Sequence, residues 1–197
     1  MVWMVVIAGV TVAWQIVRLQ QTDWLWYPYD YAGRLVILGL LAIDPTLRAA
    51  IFRRDRLKIS LAIVINWGLL LIPGLWLVRV LTNAGGAVLP DLRLGFYPMI
   101  HGPLYLFDMS FGLVLTAFHE EFCFRRAVPF ALARLGNGTV NNIASALLFG
   151  AFHWWTGIPN MVYAAVFGII ALAIYRRSGV LWPIIAIHYI ADFVALS

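Results

Sequence analysis

Charge is what this 197-residue chain lacks most. Asp, Glu, Lys and Arg together make up 12% of it, while 63% is hydrophobic and the mean hydropathy is +0.87. Soluble domains carry about 25% charged residues, so the composition excludes a soluble globular domain. Cysteine is nearly absent. Cys123 stands alone, so no intramolecular disulfide can form, and it reads as a small packing residue and not a nucleophile. No internal repeat marks a solenoid. The N-terminus is apolar from Val2 to Val17 but has neither a basic n-region nor a small-x-small cleavage site. It is expected to be a retained membrane segment and not a signal peptide.

What charge there is has a pattern. The net charge is +5 and the pI is near 9.7. In a soluble protein that would point to nucleic acid. Here the basic residues sit where apolar segments end, so membrane lipid is the expected partner and nucleic acid is not. Arg48, Arg53, Arg54, Arg56, Lys58, Arg125, Arg126, Arg134, Arg176 and Arg177 fall on one side, ten of the fourteen Lys and Arg. Arg18, Arg34, Arg79 and Arg93 fall on the other. The first side is therefore expected to be cytoplasmic, in a bacterial or archaeal plasma membrane.

The expected fold class is all-α: a polytopic membrane bundle of about six or seven transmembrane helices, each needing roughly 20 residues. Met1–Val17 is a first span. Trp24, Trp26, Tyr27, Tyr29 and Tyr31 read as an interfacial aromatic belt. Asp44-Pro45 predicts an N-cap followed by a new helix start, with a basic interfacial helix over Thr46–Lys58. Ile59–Leu81 is the clearest span, kinked at Pro73. A helix from near Phe107 carries Glu120 and Glu121, and is kinked by Pro129. Val140–Trp155, Met161–Tyr175 and Val180–Leu196 follow, separated by Gly-containing turns. Small residues at four-residue spacing, Ala146 with Gly150 and Ala164 with Gly168, favour close helix packing. Trp154 and Trp155 fit either a cavity wall or an outer belt. Residues 1–104 form N-terminal membrane segments with the basic helix and a loop, and 105–197 form a helical core within the same membrane domain.

That core holds ionisable groups where they are costly. Glu120, Glu121 and Arg125, then Phe149 and His153, then His188 and Asp192 lie in three separate apolar segments. A spacing of four puts each pair on one helix face, and charges inside lipid mark function by default. Glu120 falls roughly 22 Å from the Gly136-Asn137-Gly138 turn, His153 about 18 Å from Asn141, and His188 and Asp192 about 12 and 18 Å from Val180, so a single polar layer is expected. Glu121 and Arg125 are spaced as a supporting ion pair, and Phe149 as a pocket wall. His101 and His119 have no evident partner.

The three motifs, EEFCFR from Glu120, FGAFH from Phe149 and HYIAD from His188, resemble those of the CPBP family of CAAX proteases and bacteriocin-processing or immunity proteins. The resemblance covers roughly Phe107 to Ser197. It implies an intramembrane endopeptidase acting on a peptide or protein with a hydrophobic or prenylated tail, cut near its C-terminus by a glutamate-activated water with no cofactor. The amide hydrolysis that the resemblance implies needs an activated water and a stabilised oxyanion. Glu120 suits a general base, since a carboxylate isolated in low dielectric is the more basic for it. His153 suits a holder of the same water, His188 an oxyanion donor, and Asp192 a partner of His188. The last motif ends in Asp192, one of the family's two options, and an ionised Asp can only accept hydrogen bonds. It either orients His188 or acts while protonated. The family is also described as metalloproteases, and zinc held by Glu120, His153, His188 and Asp192 is the alternative. No His-Glu-x-x-His helix is present. A proton-relay or transport protein would use similar buried groups, but no inverted repeat is visible. A non-catalytic immunity or scaffold protein keeping the fold is the third reading.

Overall fold

The computed structural model describes residues 2–52, 102–133 and 137–196, with isolated positions between 74 and 98. Every regular element among them is helical. In chain order these are α1 (Val2–Leu19), α2 (Trp26–Ile43), α3 (Pro45–Ile51), α4 (Pro103–Phe107), α5 (Leu113–Phe122), α6 (Val128–Leu132), α7 (Gly138–Phe152), α8 (Ile158–Ser178) and α9 (Trp182–Leu196). The all-α bundle expected from composition is present. Among the described residues only α8 is both long and apolar enough to cross a membrane, and α1, α7 and α9 are shorter apolar helices. The expected span Ile59–Leu81, apart from Gly74, Trp76, Leu77 and Val80, which are helical, lies outside the described residues, as do Pro73, His101 and residues 53–58 of the basic helix.

Helices α1 and α2 form an antiparallel pair. The Trp3 indole donates to the Leu40 carbonyl at 3.1 Å and the Trp14 indole to the Tyr29 carbonyl at 2.9 Å, one bond near each end. Asp44 stops α2 and starts α3 as its sequence implies. Its Oδ1 accepts from the backbone N–H groups of Thr46 and Leu47 at 2.8 and 3.0 Å, and Pro45 takes the first helical position, where a missing N–H costs nothing.

Segments α4, α5 and α6 are one helical run widened twice into π turns, at Asp108–Gly112 and Cys123–Ala127. Just ahead of Pro129, where a kink is expected, the structure places the second π turn, closed by Val128 N–H donating to the Cys123 carbonyl, and Ser145 Oγ caps the Phe124 carbonyl from α7 at 2.7 Å. Such π turns are commonly found at functional sites.

The α7–α8 hairpin uses the small residues. A Cβ on Gly150 would lie 2.6 Å from the Met161 carbonyl oxygen and 2.7 Å from Ala165 Cβ, and one on Gly168 would press on Ala146. The joining turn needs Gly157, at φ 95°, which L-residues rarely adopt.

Two expectations are corrected here and one open alternative is resolved. The aromatic cluster is not a belt throughout: Trp24 and Tyr29 face outward, but Trp26 and Tyr27 are buried against Tyr97 and Trp155. Trp155 belongs to the cavity wall and Trp154 donates to Gln15. Arg18, Arg34, Arg125 and Arg126 are not flanking charges: all four are buried, the first three in ion pairs, so none of them counts in the charge bias of the loops. Elsewhere the exterior is broadly apolar, with Val5, Leu35, Leu106, Leu147 and Val194 exposed.

Replacing Gly150 by Val should lower the melting temperature and the detergent-extracted folded yield, because overpacking a tight contact typically costs about 1–3 kcal/mol. Gly39→Ala, where an added Cβ meets nothing within 4 Å, should leave both unchanged or raised. Equal melting temperatures for the two variants would contradict the close hairpin.

Candidate active site

Four polar residues of the three motifs are brought to one cavity of about 360 Å³. Glu120 enters it from α5, buried to 3% exposure. His153 sits at the C-terminal end of α7, outside the helix proper, with φ −91° and ψ 17°. His188 and Asp192 come from α9, one turn apart. All four line the cavity with Phe149.

One carboxylate oxygen organises the centre. Glu120 Oε2 lies 3.8 Å from His153 Nε2 and 3.8 Å from His188 Nε2, and it has no hydrogen-bond partner among the described residues. His188 Nε2 is also 3.4 Å from Asp192 Oδ2. Each imidazole is oriented from behind. His153 Nδ1 is 2.9 Å from the Phe149 carbonyl, which can only accept, so Nδ1 carries the proton and Nε2 offers its lone pair to the cavity. His188 Nδ1 donates to Glu121 Oε1 at 2.8 Å. The Asp192 and His153 side chains keep 32% and 19% exposure, so they form the rim above Glu120.

Two guanidinium groups balance the two adjacent acids. Arg125 binds Glu121 through Nε and Nη2 at 2.7 and 3.1 Å, as the spacing predicts. Its guanidinium carbon also lies 4.8 Å over the Phe149 ring. Phe149 stands between both imidazoles, 5.0 Å from the His153 ring and 6.0 Å from that of His188. The partner of Glu120 is not in its own motif. Arg34 of α2 donates from Nη1 to Glu120 Oε1 at 2.9 Å, and from Nε to Asp30 Oδ2 at 2.7 Å. Asp30 Oδ1 in turn accepts from Arg18 Nη1 at 2.6 Å. A buried chain Arg18–Asp30–Arg34–Glu120 thus runs from α1 through α2 to the site. This corrects the expectation of a carboxylate isolated in low dielectric.

Sequence reading missed Arg34 and Asp30, although they repeat the signal used elsewhere: a charged pair four residues apart inside an apolar helix. It also left His119 without a partner. Its Nδ1 lies 3.2 Å from Arg34 Nη1 and its ring stands edge-on to Trp14. Cys123 is buried and does not line the cavity.

A zinc site fits these residues poorly. No group of three or more His, Cys, Asp or Glu side chains among the described residues has a metal-ligating arrangement. The Arg34 guanidinium also already balances the Glu120 carboxylate, which a second cation would have to share.

Residues 102–194 match the family model described as Type II CAAX prenyl endopeptidase Rce1-like. The matched stretch contains Glu120, Glu121, Arg125, Phe149, His153, His188 and Asp192, and excludes Arg18, Asp30 and Arg34. No curated protein and no solved structure matches the chain.

Arg34→Met should destabilise the fold strongly, by about 3–5 kcal/mol, because it leaves a buried carboxylate unpaired. Adding Glu120→Gln to Arg34→Met should recover part of the melting temperature, since the uncompensated charge is then removed. Full additivity of the two substitutions in a double-mutant cycle would contradict the pairing.

Proposed function

We propose, from the match of residues 102–194 to the family model described as Type II CAAX prenyl endopeptidase Rce1-like and from the cavity's geometry, that this protein is an intramembrane endopeptidase. Its substrate is a membrane-associated peptide or protein with a hydrophobic or prenylated tail, cut near the C-terminus. The bundle lies across the plasma membrane in several spans, with the Arg176–Arg177 turn at the cytoplasmic face.

The observation that carries this reading is the buried Glu120 Oε2 facing two imidazole nitrogens, each 3.8 Å away. That spacing is too long for direct hydrogen bonds and suits one water shared between the carboxylate and His153. In the reaction Glu120 takes a proton from this water as its oxygen bonds to the carbonyl carbon. His153 holds the water through its Nε2 lone pair, receives the proton from Glu120 at that nitrogen, and delivers it to the leaving amine as the C–N bond breaks. His188 works as an imidazolium: Nδ1–H is held by Glu121, and Nε2–H donates to the oxyanion. Asp192, as an acceptor 3.4 Å from the same Nε2, supports that cation and does not itself donate. Glu121, Arg125 and Phe149 keep the two rings in place. No cofactor is required for these steps.

Zinc hydrolysis is the alternative, favoured by one observation. Both imidazoles have Nδ1 fixed from behind, as metal-bound histidines do.

The test uses purified protein in detergent with a prenylated peptide and its unprenylated hydrophobic counterpart. Glu120→Gln should abolish cleavage while the protein stays folded, His153→Ala should be nearly as damaging, and His188→Ala should slow turnover by about 10²–10³. Cleavage by Glu120→Gln at the wild-type rate would overturn the mechanism. Loss of activity on exhaustive chelation, restored by added zinc, would replace it with the metal version. Failure of the wild type to cut either peptide would favour a scaffold, immunity or proton-relay protein.

A further inference from the structure

Buried polar atoms without partners sort by chemistry along the cavity. Next to the imidazoles the unmet atom is an acceptor, Glu120 Oε2. Three ion pairs away, at Arg18, the atoms unmet among the described residues are donors: Arg18 Nε, Arg18 Nη2 and the Trp26 indole Nε1. Arg18, Trp26 and Glu120 all line the same cavity.

The Arg18 guanidinium is held but not satisfied. Its Nη1 bonds Asp30 Oδ1, and Arg34 bonds the other Asp30 oxygen, so Asp30 meets only one of the three nitrogens of Arg18. What remains, Nε and Nη2, is one complete edge of the fork, the edge that binds a carboxylate through two parallel hydrogen bonds. Trp155, Trp26 and Trp14 surround the guanidinium carbon, with ring centroids at 4.5, 4.9 and 5.0 Å. These contacts fix the plane of the group without using its N–H donors. Arg93 adds a second guanidinium to the lining. The side chain is only 1% exposed, so its open edge can be met only by a group that enters the cavity.

We propose that this edge of Arg18, with the Trp26 N–H, is a subsite for the C-terminal carboxylate of the bound peptide. The enzyme would then hold a free C-terminal acid at Arg18 while the scissile bond lies at Glu120. This rests on the endopeptidase reading and adds a specificity residue to it. The aromatic and cationic cluster selects chains that end in a free acid over internal segments or capped tails, because an amide terminus leaves the guanidinium edge half met.

Binding and cleavage are measured separately. The full chain carrying Glu120→Gln, in neutral detergent micelles, is titrated calorimetrically with the tripeptide Ala-Leu-Ala as the free acid and as its C-terminal amide. The acid should bind on the order of tenfold tighter. Arg18→Lys in the same background keeps a cation for Asp30 but has no fork, and the preference should disappear. Should that variant fail to fold, the acid-to-amide ratio of the parent still decides. Equal affinities for acid and amide would overturn the subsite, as would an acid preference that survives Arg18→Lys. Loss of the preference in micelles doped with phosphatidylglycerol would assign the edge to a lipid phosphate and overturn it too. In parallel, the wild type is given a prenylated peptide as acid and as amide. Equal cleavage of the two removes the subsite and leaves the protease reading standing. No cleavage, with the binding preference intact, does the reverse.

Discussion

Two adjacent glutamates buried side by side are the constraint from which the rest of this structure follows. Like charges one residue apart in low dielectric are not tolerated without cations. Arg125, one turn on, takes Glu121, and Arg34, from a different helix, takes Glu120. The first pairing is local and needs only a helix. The second forces α2 to dock against α5, and through Asp30 and Arg18 it brings in α1 as well. The site therefore draws on residues from both sides of the 104/105 division, and the residues on the N-terminal side carry charge balance to the centre.

The division of labour between the two acids follows from what each can still do. Both oxygens of Glu121 are occupied, by Arg125 and by His188 Nδ1, so it holds an imidazole and has nothing left for a reacting water. Glu120 keeps Oε2 for the cavity because Arg34 takes only Oε1. The π turns support this arrangement. The first places Asp108 where Tyr31 bonds it at 2.7 Å and Tyr97 bonds it as well, tying the cavity-lining Tyr97 to α2. The second turns two consecutive arginines inward: Arg125 toward the site, and Arg126 toward Tyr175 and the Ile51 carbonyl at 3.0 and 2.6 Å.

Much of the centre was legible in the sequence because a four-residue spacing reports a shared helix face whatever the tertiary fold. That is why Glu121–Arg125 and His188–Asp192 appear as read, while the capping of α3 by Asp44 follows from its Asp-Pro start signal. What spacing cannot report is which face turns inward. Arg18 and Arg34 were therefore taken for flanking charges under a rule that treats arginines near segment ends as solvated. The same four-residue reasoning applied to Asp30 and Arg34 would have drawn attention to them. The aromatic run from Trp24 to Tyr31 failed differently. A belt and a cavity wall have the same composition, and only the partners Tyr97 and Trp155, distant in sequence, separate Trp26 and Tyr27 from Trp24 and Tyr29.

The claim on which the account turns is that Glu120 is an ionised carboxylate, buried and neutralised by Arg34, at rest in the enzyme. Infrared difference spectroscopy of the protein labelled with ¹³C-carboxyl glutamate, wild type minus Glu120→Asp, reads its protonation state directly. The account predicts a carboxylate stretch that shifts on that substitution and moves again when Arg34 is replaced by Lys. A protonated carboxyl band assigned to Glu120 at neutral pH, unaffected by the change at Arg34, would contradict it.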